Sequence, residues 1–255
     1  MSRFYNCVWL VLNDVIIGVA IGSFLLENRQ ALSQILDYTL QHYLVDWIRD
    51  ALMWLNNWPA GLKLNTELSS FLCHIFVGMV TLWGQLLVAL SPYYPLIFWV
   101  AGAMGFFGMA AMISLLSDLL KFLTAHLWVC YWLSAIVFRQ QLGFIGSLWN
   151  LFRGKRYNVL RMRLESWDYD IDQLLLGTIL FTLTTFLQPT VMTYYALFAT
   201  TRLLIIIIHA VLDTASALLN HFPLFALMLR IKDPLRLPGT SAVIGIVDHQ
   251  VVTTC

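Results

Sequence analysis

Four acids crowd the middle of the chain: Glu165, Asp168, Asp170 and Asp172. Asp168-Tyr169-Asp170 and Asp170-Ile171-Asp172 each read as D-x-D, a pattern whose oxygen ligands suit magnesium or manganese held against a diphosphate. That chemistry also needs a soluble α/β domain with glycine-rich turns to hold a nucleotide, and this chain has no room for one. The other reading of the acids is a solvated stripe on a helix. His209 and Asp213, four residues apart in an apolar run, suit either a packed hydrogen-bonded pair or one step of a proton relay. No G-x-S-x-G, H-E-x-x-H or Walker pattern occurs, and no nucleophile has an adjacent base.

Two other groups of residues carry more weight. Asn13 and Asp14 interrupt an apolar run, and Asp14, Gly18 and Gly22 follow at steps of four on one helix face. Glycines so spaced let a second helix approach closely. A carboxyl group in hydrocarbon costs ~2.5 to 3.5 kcal/mol on insertion scales, so Asp14 is expected to face protein or water. It serves either an interhelical hydrogen bond or a transport or catalytic role. The second group is basic: Arg153, Lys155, Arg156, Arg161 and Arg163. It suits a lipid phosphate at the membrane surface, a docking protein, or plain topogenic charge.

The elements that must position these groups follow from composition. With 60% hydrophobic and 11% charged residues, the chain is far from a soluble domain, which is about half apolar and a quarter charged. The expected class is an all-α membrane protein with about six transmembrane helices plus interfacial amphipathic helices. Spans of about the ~20 residues that a bilayer requires are expected at 8–26, 71–90, 96–116, 119–138, 174–198 and 203–228, making 1–228 a membrane domain and 229–255 a tail. Leu44, Ile48, Leu52 and Leu55 mark a helix in the interface plane. Ala101, Gly105, Gly108 and Ala111 line one side of the third span, and Pro189 is expected to kink the fifth. Leu160, Leu164, Trp167, Ile171 and Leu174 recur at steps of four and three, which predicts a further amphipathic helix over 158–172 within a polar segment, 139–173. Cys7, Cys73, Cys130 and Cys255 are scattered, so neither a disulfide framework nor a zinc site is indicated.

Six spans divide the fifteen basic residues ten to five, and the richer side holds both termini and residues 139–173. The positive-inside rule places that side in the cytoplasm, and the large basic cluster keeps 139–173 there even if one span is miscounted. The net charge of +1 gives no reason to expect nucleic acid as a partner.

The stretch FRGKRYNVLRMRLESWDYDIDQLLLGTILFTL resembles the signature segment of the phosphatidylinositol glycan class Q proteins, a multispanning subunit of the GPI N-acetylglucosaminyltransferase complex. NCVWLVLNDVIIGVAIG, WPAGLKLNTELSSFLCHIF and RIKDPLRLPG are similar to that family in the same order. Members usually carry a further region ahead of the first span, and this sequence resembles their membrane portion alone. The resemblance implies a non-catalytic, stabilising role at the endoplasmic reticulum in transferring N-acetylglucosamine from UDP-N-acetylglucosamine to phosphatidylinositol. It implies a separate catalytic glycosyltransferase and other membrane subunits as partners, with phosphatidylinositol a candidate ligand. No cofactor, metal or catalytic residue is implied. Asn13, Asp14, Gly18, Gly22 and Trp167 are the expected packing or partner residues, and the basic cluster at 153–163 the expected headgroup or docking residues. The competing expectations are a lipid glycosyltransferase acting by itself and a lipid or proton transporter using Asp14, His209 and Asp213.

Overall fold

A computed structural model describes residues 2–57, 61, 64–158, 161–166 and 168–221. Helices dominate: α1 (Ser2–Glu27), α2 (Arg29–Thr39), a π-helical stretch (Leu40–Asp46), α3 (Trp47–Asn56), α4 (Thr66–Leu90), α5 (Tyr94–Met104), α6 (Met109–Leu123), α7 (Ala125–Phe152) and α8 (Ile171–His221). Strands β1 (Lys155–Asn158) and β2 (Arg163–Ser166) pair antiparallel between α7 and α8. Three helical stretches are long and apolar enough to cross a membrane: Val8–Glu27, Thr66–Phe107 and Ile171–Leu219. There are four if the pair Met109–Leu123 and Ala125–Phe152, broken at Thr124, counts as one. The first expected span therefore stands, and the expected six become three or four candidates.

The differences have local causes. SPYYP does not end the second span, because Ser91–Tyr93 forms a 3-10 turn that leads directly into α5. The third expected span is two helices separated at Gly105–Gly108. α7 runs to Phe152, so residues 139–152 belong to an apolar helix and not to the polar segment. The fifth and sixth expected spans are one helix of 51 residues, with Pro189 inside it. No glycine or proline lies between Phe198 and Leu203 to interrupt it, and the hydroxyls of Thr200 and Thr201 bond back to Ala196 and Leu197 carbonyls at 2.9 and 2.8 Å. The helix expected over 158–172 is a β-hairpin followed by the start of α8. The tail 229–255, Leu160 and Trp167 lie outside the described residues.

Contacts divide the described chain into two compact units: Met1–Arg29, Leu96–Asp118 and Ala210–Cys255, and then Gln30–Pro95 and Leu119–His209. The second unit holds most of the aromatic core. Ile48, Leu52 and Leu55 of α3 are buried, so the stripe expected on a helix in the interface plane is covered by the chain's own α4. Cys73 Sγ lies 3.6 Å from the Leu52 carbonyl, and Ser69 Oγ donates to Asn56 Oδ1 at 3.1 Å. Trp47 and Trp54 remain on the outer face. Phe76 meets Tyr194 and Phe198 at ring distances of 6.2 and 4.5 Å. The Tyr194 hydroxyl donates to the Ser69 carbonyl at 3.0 Å, which gives the polar end of a buried ring its partner. Asn65 caps α4 by accepting from the Leu68 amide at 2.9 Å, while its own amide donates to Thr190 Oγ1 at 3.1 Å.

The first unit is built on glycine. Going down α1, Gly18 and Gly22 meet Gly105 and Gly102 of the opposing segment in antiparallel order. A Cβ at position 18 would stand 2.5 Å from the Gly105 carbonyl oxygen and 2.6 Å from the Met109 nitrogen. Those obstacles are backbone and have nowhere to turn. A Cβ at position 22 would stand 2.6 Å from the Gly102 oxygen. Such overpacking costs ~1 to 3 kcal/mol. At Gly78 of α4, by contrast, a methyl group meets nothing within 4 Å, and alanine there is expected to add ~0.4 to 1 kcal/mol of stability. Thermal melts of detergent-solubilised Gly18→Ala and Gly105→Ala should therefore fall by several degrees while Gly78→Ala holds or rises. Equal melting of all three would remove the packing claim.

Candidate functional site

The break between α5 and α6 would expose the first amides of α6, which have no intrahelical acceptor. In hydrocarbon there is no water to take them. Gly108 stands at the N-cap position, with φ +116, a conformation that side-chain-bearing residues rarely adopt. It also offers no side chain to cap with. Asp14 supplies the missing acceptor from α1: the Ala110 amide donates to Asp14 Oδ1 at 3.0 Å. The second carboxyl oxygen packs so closely on Gly108 that a Cβ there would collide with it. A carboxyl group at a helix N-terminus also opposes the positive end of the helix dipole. Asp14 is thus a cap delivered from another helix, and Gly18 and Gly22 bring α1 near enough to deliver it. Asn13 beside it is half-buried.

The basic and acidic residues resolve into a second site. α7 ends with Gly154 at φ +60 and its amide donating to the Leu151 carbonyl at 3.1 Å, a common way to close a helix. Arg153 is the C-cap of α7. The Asp170 backbone carbonyl accepts from the Leu174 amide at 3.1 Å, the opening bond of α8, and Asp172 lies in its first turn. Arg153 therefore stands at a helix C-terminus and Asp172 at a helix N-terminus, each opposing the local dipole. Between them the register pairs Lys155 with Ser166, Arg156 with Glu165, Tyr157 with Leu164 and Asn158 with Arg163. Arg161 and Arg163 both reach Glu165 Oε1, at 3.2 and 3.0 Å. These pairs are exposed, and each contributes ~0 to 1 kcal/mol. The Tyr169 hydroxyl donates to the Lys155 carbonyl at 3.4 Å and straps the segment after β2 onto β1.

The basic residues thus gather on one hairpin, but in two sets. Lys155 shares a face with Tyr157 and Leu164, whereas Arg156 and Arg163 share the opposite face with Glu165. Among the described residues, no three His, Cys, Asp or Glu side chains come together as a metal site requires. His209 and Asp213 lie four apart on α8, and Trp167 lies outside the described residues.

Sequence reasoning missed Gly102 and the Ala110 amide as the other half of the Asp14 site. Three glycines within seven residues, Gly102 to Gly108, were the available signal. It also missed a polar cluster at the π-helical stretch. His126 Nε2 donates to the Leu44 carbonyl at 3.4 Å, its ring stacks on Trp83 at 5.3 Å, and the Trp83 indole donates to the Leu123 carbonyl at 3.1 Å. Widened helical turns leave carbonyls open to such partners. A single histidine in an apolar run gave no spacing from which to read this.

Long apolar helices, one interrupted and closed by a carboxyl group from a neighbour, define a polytopic helical membrane protein. The profile of the family described as "N-acetylglucosaminyl transferase component (Gpi1)" matches residues 1–239, and the chain belongs to that family. It is 44% identical over 237 residues to the Schizosaccharomyces pombe protein named N-acetylglucosaminyl-phosphatidylinositol biosynthetic protein gpi1, covering 93% of this chain and 36% of that one. It is 39% identical to the Saccharomyces cerevisiae phosphatidylinositol N-acetylglucosaminyltransferase subunit GPI1, covering 92% of this chain and 39% of that one. Identity to the human phosphatidylinositol N-acetylglucosaminyltransferase subunit Q is 36%, with 93% and 31% covered. The chain thus spans 31 to 39% of the length of these curated relatives. No solved structure matches it.

The cap generates a direct test. Removing a cap costs ~1 kcal/mol, up to ~2, and a buried amide left without an acceptor costs ~1 to 3 kcal/mol. Asp14→Leu is expected to destabilise the chain by that order and to speed amide exchange at Ala110. Asp14→Asn keeps an acceptor oxygen and should restore most of both. Exchange at Ala110 that ignores both substitutions would disprove the cap.

Proposed function

We propose that this chain is a non-catalytic scaffolding subunit of the endoplasmic reticulum complex that transfers N-acetylglucosamine from UDP-N-acetylglucosamine to phosphatidylinositol, the opening step of GPI-anchor synthesis. The observation that carries this reading is similarity over 92 to 93% of the chain to proteins whose names call them subunits of that transferase. The structure supports it through what its polar groups are engaged in. Asp14, the most transporter-like residue of the sequence, is occupied in closing α6. The threonine hydroxyls at 178, 182, 184, 185 and 193 of α8 bond back to carbonyls of their own helix, as suits a helix bathed in lipid.

The partners of the scaffold are a catalytic glycosyltransferase and other membrane subunits. Because Gly18 and Gly22 are engaged within the chain, partner helices approach the other side of α1, where Leu12, Ile16 and Phe24 are exposed. The hairpin segment faces the cytoplasm whether the six crossings expected from sequence or the four candidate crossings are counted. With six spans the richer side, which holds it, carries ten of the fifteen basic residues. With four, the side holding it carries Arg29, Arg49 and Lys63 besides the cluster at 153–163, against Arg3, Arg230, Lys232 and Arg236 opposite. Only the six-span count puts both termini in the cytoplasm as well.

Reconstitution tests this reading. Omitting the chain from the co-expressed complex should lower recovery of the other subunits and sugar transfer together. Replacing Leu12, Ile16 and Phe24 by polar residues should do the same while the chain itself stays in the membrane. Transfer by the isolated chain would make it the catalyst and sink the scaffold reading.

A further inference from the structure

The hairpin between α7 and α8 has two unlike faces. Tyr157 stands opposite Leu164 across the strands, and the Tyr157 hydroxyl donates to Met162 Sδ at 3.3 Å. Three large, mainly apolar side chains therefore gather on one face, beside Lys155 at its edge, and they are 52%, 48% and 75% exposed. Met162 sits at φ +50, outside the conformations that such a residue prefers. The other face carries Arg156 and Arg163 around Glu165, which Arg161 also reaches from the turn. A two-stranded hairpin is marginal by itself in water, and three exposed apolar side chains bring it no stability there. The surroundings in which both faces gain are the boundary of a phospholipid layer, with apolar side chains below the phosphates and guanidinium groups among them.

Position and size agree with that boundary. β1 begins three residues after the last residue of α7 and packs against that helix, and α8 begins five residues after β2. Each helix presents an apolar side chain where it meets the hairpin, Phe152 at the end of one and Ile171, 84% exposed, at the start of the other, where Asp170 and Asp172 flank it. A stable protein interface buries about 800 Å² on each partner, more than a face of three side chains supplies. Shallow insertion in lipid needs no such area.

We propose that the paired strands Lys155–Asn158 and Arg163–Ser166 form a membrane-surface hairpin that inserts Tyr157, Met162 and Leu164 into the headgroup layer of an anionic leaflet, with Arg153, Arg156 and Arg163 on lipid phosphates. This goes beyond the scaffold reading and does not depend on it, because it concerns the isolated chain and no sugar transfer.

The test uses the full chain with Cys7 and Cys255 replaced by serine and an environment-sensitive fluorophore on Met162→Cys; Cys73 and Cys130 are buried. The chain is placed in nanodiscs of phosphatidylcholine alone or mixed with phosphatidylinositol. A blue-shifted emission, quenched by lipids spin-labelled near the headgroup, is expected and should be at least twofold stronger in the mixed discs. Arg153→Gln with Arg156→Gln should remove that difference while the melting temperature holds. Emission typical of water in both compositions overturns the proposal and leaves the apolar face to a protein partner. An equal blue shift in both overturns the anionic recognition. If inorganic phosphate added to phosphatidylcholine discs reproduces the effect, the site takes a soluble anion and the lipid assignment falls.

Discussion

A backbone amide in hydrocarbon has no solvent to turn to, and this constraint organises the molecule around Asp14. A helix crossing a bilayer normally meets it by never breaking. Here the stretch from Tyr94 to Leu123 breaks at Gly105–Gly108, and the donors so released are met by a carboxyl group from α1. The arrangement needs α1 at backbone distance from the break, which is what Gly18, Gly22, Gly102 and Gly105 permit, and a residue without a side chain at 108, where φ is positive and Asp14 presses on the Cα. Each of these features is costly or weak alone. Together they leave the buried acid and the interrupted helix to satisfy one another.

The same constraint is met differently elsewhere. α8 carries threonine after threonine, and the hydroxyls bond to carbonyls three or four residues back. Polar side chains thereby remain in an apolar helix without needing partners outside it. The 51 residues of α8 amount to about 76 Å at 1.5 Å per residue, more than twice the ~30 Å of a hydrocarbon core. In the second unit the Ser69–Tyr194 and His126–Leu44 bonds do comparable work between helices. Polar groups inside this protein are mostly closing backbone or side-chain hydrogen bonds, which is the behaviour of a framework.

The charged segment shows why order of charge is a poor guide to function by itself. Bases then acids, read along the sequence, suggest a phosphate-binding patch and metal-binding acids in succession; in the fold Arg153 closes one helix and Asp172 opens the next, each opposing a dipole, while Lys155, Arg156, Arg163 and Glu165 lie on the hairpin between them. What dipoles do not account for is the pairing of Tyr157, Met162 and Leu164 on one side of the hairpin and arginines on the other. That two-sidedness is a property of strands, invisible while the segment is taken for a helix.

Composition and short-range pattern determined a good deal without any structure: a helical membrane protein, the position of α1, the helical stripe through Ile48, Leu52 and Leu55, and the family to which the central segment points. These are legible because hydropathy and the 3.6-residue period are local. Helix-like spacing misled over 158–172, since steps of three and four arise also where two short strands and a turn alternate apolar with charged residues. Tertiary structure alone decided what covers α3, how far α8 continues, and above all what Asp14 touches. That last bond joins residues 96 positions apart, and a residue's own neighbours in sequence carry no information about which distant amide has been left without an acceptor.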